Sequence, residues 1–234
     1  MKTDTATHFP DVYLLHQDED LLVLEKPAGL LCVPGRGPDK SDCLSLRAEQ
    51  RWPGALVVHR LDQATSGLVL MARNPLAQRA LSTAFAERRV HKRYQAMVQG
   101  ALQSKLGVQD GAGWATIDLP IAADWERRPL RVIDTEHGKP SQTQWRILST
   151  DANTTRLELA PLTGRTHQLR VHLAALGAGI LNDGFYPELL PEAPDDFTRP
   201  LQLLARELRF IDPLSGAPRA FVTRRTLQEA PTGA

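Results

Sequence analysis

Three residues of this chain have types and neighbours that could do chemistry. The first is Asp62. It follows an apolar run, Ala55-Leu56-Val57-Val58, and closes the segment His59-Arg60-Leu61-Asp62 as the chain enters a turn ending at Gly67. A carboxylate at the end of a buried strand is well placed to face a cleft and to act there as a nucleophile or base. The same position also suits an ordinary turn-initiating Asp that bonds its own backbone. The second is Arg165, within Pro161-Leu162-Thr163-Gly164-Arg165-Thr166-His167-Gln168-Leu169-Arg170. It falls just before or within the first turn of an expected helix, where the helix dipole is already positive. A cation there makes sense opposite a phosphate or a buried carboxylate; the plainer reading is an arginine bent into solvent. The third is Tyr94, on the alternating face of a strand that begins Lys92-Arg93. Such a tyrosine is usually half-buried packing, but beside a basic cluster it can stack on a nucleobase.

Other chemistries lack their signatures. Gly35-x-Gly37 is not followed by the rest of a dinucleotide fingerprint, and there is no phosphate-binding P-loop. No Gly-x-Ser-x-Gly elbow is present. His167 and His172 are five apart with no acid at metalloprotease spacing, so they read as a helix-cap contact and a core-facing ring rather than as metal ligands. Cys32 and Cys43 are too few for a disulfide framework and read as small apolar residues. Neither a metal nor an organic cofactor is expected.

The elements that must carry these side chains can be outlined from pattern. Val12–Leu15 and Leu21–Leu24 flank a polar turn and predict a β-hairpin. Lys26-Pro27-Ala28-Gly29 and Val33-Pro34-Gly35 punctuate a loop. Ser41 or Asp42 can cap a short helix carrying Leu44, Ala48 and Trp52. Leu68–Ala72 reads as a strand. Asn74-Pro75 is a helix start, with Leu76, Ala80, Leu81, Ala84 and Phe85 assigned to its apolar face. Tyr94, Ala96 and Val98 alternate with Arg93, Gln95 and Gln99; residues 101–114 read as a glycine-containing loop. Leu169, His172, Leu173 and Leu176 recur at helical spacing before Gly177. Leu201 to Val222 returns to strand pattern around a Pro213–Gly216 turn. There is no regular βαβ rhythm, so the expected class is α+β.

The 234 residues are 42% hydrophobic and 24% charged, ordinary for a globular chain. Lys plus Arg total 28 and Asp plus Glu 27, which excludes a uniformly basic nucleic-acid coat. The near-neutral total hides a basic region: Arg73, Arg79, Arg88, Arg89, Lys92 and Arg93 face only Glu87 between residues 73 and 93. That region can hold a phosphate backbone or can be a solvated helix face. The acidic counterpart lies between Asp183 and Asp196. No apolar run approaches the roughly 20 residues of a membrane span, and no signal peptide is expected. The expectation is a cytoplasmic protein without a membrane partner.

Taken together, four segments resemble the RNA pseudouridine synthases related to ribosomal large-subunit pseudouridine synthase A. These are Lys26-Pro27-Ala28-Gly29-Leu30, His59-Arg60-Leu61-Asp62 with Thr65-Ser66-Gly67, Lys92-Arg93-Tyr94-Gln95-Ala96, and Gly164-Arg165-Thr166-His167-Gln168-Leu169-Arg170-Val171-His172. Each alone is weak; four in the family's order are specific, and the resemblance they carry covers about residues 12–222. The resemblance implies a pseudouridine synthase fold, a mixed, largely antiparallel sheet flanked by helices around a central catalytic cleft. It implies one catalytic domain over 12–222 built from two sheet halves, with tails at 1–11 and 223–234 and no separate S4 RNA-binding domain. The implied reaction isomerises uridine to pseudouridine without a cofactor. Asp62, Arg165 and Tyr94 would be catalytic: the carboxylate, its guanidinium partner and an aromatic ring for the flipped base. A cation close to Asp62 would keep it ionised inside a pocket. Leu169 would form an apolar floor, and His59, Arg60, Lys26, Arg88, Arg89, Lys92 and Arg93 would meet the RNA. Val33-Pro34-Gly35-Arg36 and residues 124–129 resemble the dual-specificity branch of this family, which implies tRNA anticodon stem–loops and 23S rRNA stem–loops as partners of a monomer. Alternatives are the same reaction on another tRNA or rRNA uridine, or a non-catalytic RNA-binding module. A carboxylate hydrolase would need a second acid near the motifs. The chain departs from the family at Leu203-Leu204-Ala205, where a histidine is usual, at Asp212-Pro213, and at Asn182-Asp183-Gly184.

Overall fold

The computed structural model describes residues 12–35, 37, 40–102, 110–186 and 197–227. The expected hairpin forms from β1 (Tyr13–Gln17) and β2 (Leu21–Lys26), paired antiparallel. The Asp18 carboxylate accepts from the N–H groups of Asp20 and Leu21 and so fixes the turn. Helix α1 (Leu44–Arg51) buries Leu44 and Ala48. Its N-cap is Cys43, with no side-chain cap bond; Asp42 instead makes two 2.7 Å bonds to Arg47. After β3 (Leu56–Val57) and β4 (Ser66–Ala72), helix α2 (Pro75–Ala86) starts where Asn74 predicts, its side chain accepting from the N–H of Ala77 at 2.9 Å. The buried stripe is Ala77, Leu81 and Ala84, whereas Leu76 is 68% exposed. Position i+1, not i, points at the sheet.

The remaining elements are β5 (His91–Gln99), β6 (Ala115–Asp118), β7 (Ile121–Ala123), β8 (Arg131–Ile133), β9 (Gln142–Thr150), β10 (Thr154–Pro161), α3 (Gln168–Ala175), β11 (Leu203–Ile211) and β12 (Pro218–Val222). The main sheet runs β1-β2-β4-β11-β5-β10-β9-β6, with β12 added to β11 and β3 to β4. A separate hairpin, β7-β8, stands beside α3. Every described strand pairing is antiparallel except β4 with β11. The α+β expectation, with a largely antiparallel sheet, holds, and the parallel β4–β11 seam is where its halves meet.

The two halves are covered differently, and the sequence patterns explain why. In β2 and β4 the residues alternate between two apolar clusters. Leu22, Leu24, Val69 and Met71 pack with Leu44 and Ala48 of α1. Leu21, Val23, Leu68, Leu70 and Ala72 pack with Ala77, Leu81 and Ala84 of α2. A strand covered on both faces has no polar side, hence its continuous apolar run. In the other half, Ala96, Val98, Leu157, Leu159 and Trp145 pack with Leu169 and Leu173 of α3. Their alternate neighbours, Arg93, Gln95, Glu158 and Arg146, form a polar face, as the period-2 alternation requires.

Gly67 holds the seam together. Its φ of +112° is costly for a side-chain-bearing residue, and a Cβ there would overlap the backbone of Ala205 on β11. The packed chain also continues past Val222. The Thr223 hydroxyl donates to the buried Glu25 carboxylate, and Leu227 packs on Met97 and Leu204. The domain boundary expected at 222 therefore moves to at least Leu227; the tail expected at 1–11 lies outside the described residues. The two family departures near the C-terminus are packing and turn residues. Leu204 is core, and Asp212 accepts from Leu214 and Ser215 while pairing with Arg219 at 3.0 Å.

Candidate active site

A cleft of about 1100 Å³ opens at the strand ends beside the seam. Asp62, Tyr94, Arg165 and Leu169 all line it, although they are far apart in the chain. The turn is closed by the main chain, the Asp62 carbonyl accepting from the N–H of Thr65 at 3.1 Å, while Asp62 lines the cleft. Gln63 anchors the same loop. Its side chain donates to the Gly29 carbonyl, and its own carbonyl accepts from the N–H of Gly29, each at 2.9 Å.

Lys26 completes that anchor, and here the RNA-contact expectation fails. Its side chain is fully buried, and Nζ donates to the carbonyls of Pro27 (2.9 Å), Leu30 (2.7 Å) and Gln63 (3.0 Å). All three ammonium protons are used, so Lys26 is a clamp under the Asp62 loop with no surface to offer RNA. Burial pulls its pKa down from 10.5 to about 8, against the pull of Cys32 and Asp62.

Tyr94 is half-buried and packs against both neighbouring clusters. Burial first, then the charges of Asp62 and Cys32, push its phenol well above the usual range, so it stays protonated. Leu169 is buried in the wall. His59 also lines the cleft, yet its ring is committed inward. Nε2 accepts from the N–H of Leu70 at 2.9 Å, and the ring stacks on Phe85 at 4.2 Å between centroids. Burial, with Lys92 nearby, lowers its pKa to about 3, so it is a neutral ring with its proton on Nδ1. It cannot serve as a cation for phosphate.

Arg165 departs from expectation. Among the described residues no ion pair joins it to Asp62; the exposed guanidinium reaches the Pro140 carbonyl at 3.4 Å. Its backbone is held all the same. The Gln168 side chain accepts from the Arg165 N–H at 3.0 Å and from the Thr163 hydroxyl at 2.7 Å, and donates to Gln142 and Thr143. The root of the side chain is fixed, while its exposed tip has the Pro140 carbonyl as its hydrogen-bond partner among the described residues. The buried guanidinium in the cleft wall is instead Arg170, 3% exposed and bound to Asp183 through two nitrogens. Asp183 in turn accepts from the N–H groups of Phe185 and Tyr186. Burial works against the charge on Arg170, and Asp183 outweighs it. His167, in left-handed backbone before α3, lies in the same neighbourhood and is held neutral mainly by burial, at about 4.

Of the basic residues, Arg60, Arg88, Lys92 and Arg93 line the cleft. Arg89 does not; it is exposed outside the cleft and pairs with Glu87 at 2.7 Å. Sequence reasoning missed the Arg170–Asp183 pair. It also missed Trp114, Arg146 and Glu158, which line the far side of the cleft. Among the described residues no group of three or more His, Cys, Asp or Glu could hold a metal ion. The arrangement therefore offers a carboxylate, a protonated aromatic and several cations in a space large enough for a nucleotide.

The geometry agrees with comparisons to known proteins. A family model described as RNA pseudouridylate synthase matches residues 20–175. The dual-specificity RNA pseudouridine synthase RluA of Yersinia pestis is 43% identical over 209 residues, covering 89% of this chain and 96% of the relative. The protein of the same name from Escherichia coli K12 is 43% identical over 188 residues, covering 79% and 82%. The solved structure of human RNA pseudouridylate synthase domain containing 1 superposes with a TM-score of 0.72 at 27% identity, covering 94% of this chain and 91% of that one. With the fold, the motif-bearing cleft and these relatives in agreement, this chain belongs to the RNA pseudouridylate synthase family.

Proposed function

We propose that this chain isomerises uridine in tRNA anticodon stem–loops and in large-subunit rRNA, with Asp62 as the reacting carboxylate. The observation that carries the reading is the shared cleft: Asp62, Tyr94 and Leu169 meet at the β4–β11 seam, with Arg60, Arg88, Lys92 and Arg93 around the opening. The reaction breaks N1–C1′, turns the uracil, joins C5 to C1′, and is completed as C5 loses its proton and N1 gains one. No atoms enter or leave, and no electrons are transferred.

The uridine must leave its stack to reach Asp62, at a cost of a few kcal/mol that is least in unpaired RNA. Stacking on Tyr94 returns roughly 1–3 kcal/mol. Burial keeps the phenol protonated in the cleft, so the ring serves as an uncharged stacking surface for the base. Asp62 acts ionised, whether it attacks carbon or removes a sugar proton. Arg165 supports that state by turning from the Pro140 carbonyl towards Asp62 once RNA fills the cleft. Leu169 keeps water from the intermediate. Arg60, Arg88, Lys92 and Arg93 hold the phosphate backbone.

In this reading the folded chain from Val12 onward works as one catalytic domain, as a monomer in the cytoplasm. The relatives' shared description as dual-specificity enzymes supports two RNA classes. The experiment is to map pseudouridine in tRNA and large-subunit rRNA from cells with and without this protein. Loss at one uridine in each class is expected. Loss in one class alone narrows the substrate, and an unchanged map contradicts the proposal.

A further inference from the structure

The polar face of the β5–β10–β9–β6 half carries a cluster around Arg93 whose other members, Trp114, Arg146 and Glu158, have no part in the catalytic reading. Trp114, just ahead of β6, lies against this face rather than in the core. The guanidinium carbon of Arg93 is 4.5 Å from its ring centroid, and that of Arg146 is 4.7 Å. Arg146 is bound to Glu158, its partner across the β9–β10 register, with Nε to carboxylate at 2.6 Å. Arg93 has no ion pair among the described residues, and its Nη1 is a buried donor with no acceptor. All four side chains line the cleft that holds Asp62 and Tyr94.

We propose that Arg93, braced against Trp114, is the binding site for one backbone phosphate of the RNA, next to the nucleotide that enters the Asp62 pocket. The inference rests on the RNA-modifying reading and adds a subsite to it. Buried donors without acceptors are rare in native proteins, and one beside an open cleft calls for an incoming oxygen. The indole face beside the guanidinium restrains it by a cation–π contact and takes none of its N–H groups, which stay available to an anion. A planar fork suits phosphate. Arg146 is not the anchor, because Glu158 already neutralises it; that pair braces the other contact of the indole. Arg93 directly precedes Tyr94 on β5, which keeps the phosphate within reach of the nucleotide stacked on Tyr94.

The test is the salt dependence of binding to a synthetic RNA stem–loop with a uridine in the loop. It is measured by fluorescence anisotropy for the wild type, Arg93→Gln, Arg93→Lys, Trp114→Phe, Trp114→Ala and the Arg93→Gln/Trp114→Ala double variant. Arg93→Gln weakens binding about tenfold, as expected for loss of a charge-assisted bond. It also flattens the plot of log affinity against log salt by about 0.7, as expected for loss of one contact to unpaired RNA. Arg93→Lys keeps the salt slope but not the full affinity. Trp114→Ala weakens binding in the same sense, Trp114→Phe restores it, and the double variant is no weaker than Arg93→Gln. An unchanged slope in Arg93→Gln overturns the phosphate site. Independent, multiplying losses in the double variant overturn the role of Trp114. Pseudouridine formation by the wild type on the same RNA is scored separately, since its absence contradicts the catalytic reading and not the salt-slope result.

Discussion

Replacing Lys26 with Met keeps most of the side-chain volume and removes the ammonium. Three carbonyls, of Pro27, Leu30 and Gln63, then lose their donor in a place closed to water. Leaving a buried acceptor unpaired costs about 1–3 kcal/mol each. Against this, the variant no longer buries a charge. The fall in pKa from 10.5 to about 8 puts that relief at about 3 kcal/mol. The lost hydrogen bonds win, and a net destabilisation of about 3 kcal/mol at pH 7 is expected. The pH dependence separates this cause from simple misfit. Burial lowers the folded-state pKa, so between about pH 8 and 10.5 the unfolded chain binds more protons than the folded one. Stability contributed by Lys26 therefore rises with pH across that window. Urea unfolding at pH 7 and pH 10 should show the gap between wild type and Lys26→Met widening by about 2 kcal/mol. Because the Gln63 carbonyl is one of the three acceptors, pseudouridine formation per folded molecule should also fall as the Asp62 loop loosens. Equal stability at pH 7, or a gap that stays flat with pH, refutes the clamp.

Gly67→Ala forces a side chain into a left-handed position against the Ala205 backbone, and a loss of about 3 kcal/mol or more is expected as a lowered melting temperature. Asp183→Ala strands the buried Arg170 charge and two backbone N–H groups; denaturant unfolding should report a loss of about 3–5 kcal/mol. Arg165→Gln should leave unfolding within about 0.5 kcal/mol of wild type, because the guanidinium is exposed, while steady-state assays show pseudouridine formation largely lost.

The hairpin, the Asn74 cap and the alternation through Tyr94, Ala96 and Val98 were legible because each is a local consequence of turn chemistry or side-chain period. The position of the cleft was legible in Asp62 and Tyr94 through the motifs that carry them. Lys26 was not, because its partners are main-chain carbonyls, one of them 37 residues away, and a lysine before proline in a glycine loop reads as surface. Trp114 was hidden in a glycine-containing stretch that gave no strand signal. It matters only because β6 lies two strands from β10, which no local pattern reveals. The Arg165 pairing with Asp62 was implied by the family resemblance, whereas the cation's place before α3 alone left a phosphate, a carboxylate or solvent open. The free chain satisfies that arginine differently, since Gln168 holds its backbone and solvent is open to its tip. The buried cation of the wall, Arg170, lies five residues on, where helical phase rather than motif position decides which side chain points inward.

The central claim is that the Asp62 carboxylate performs the isomerisation. The direct measurement is nucleoside analysis of a uridine stem–loop RNA after incubation with wild type or Asp62→Asn, alongside RNA affinity for both. Wild type should convert uridine to pseudouridine, whereas Asp62→Asn binds the RNA and forms none. Conversion by Asp62→Asn at the wild-type rate contradicts the account.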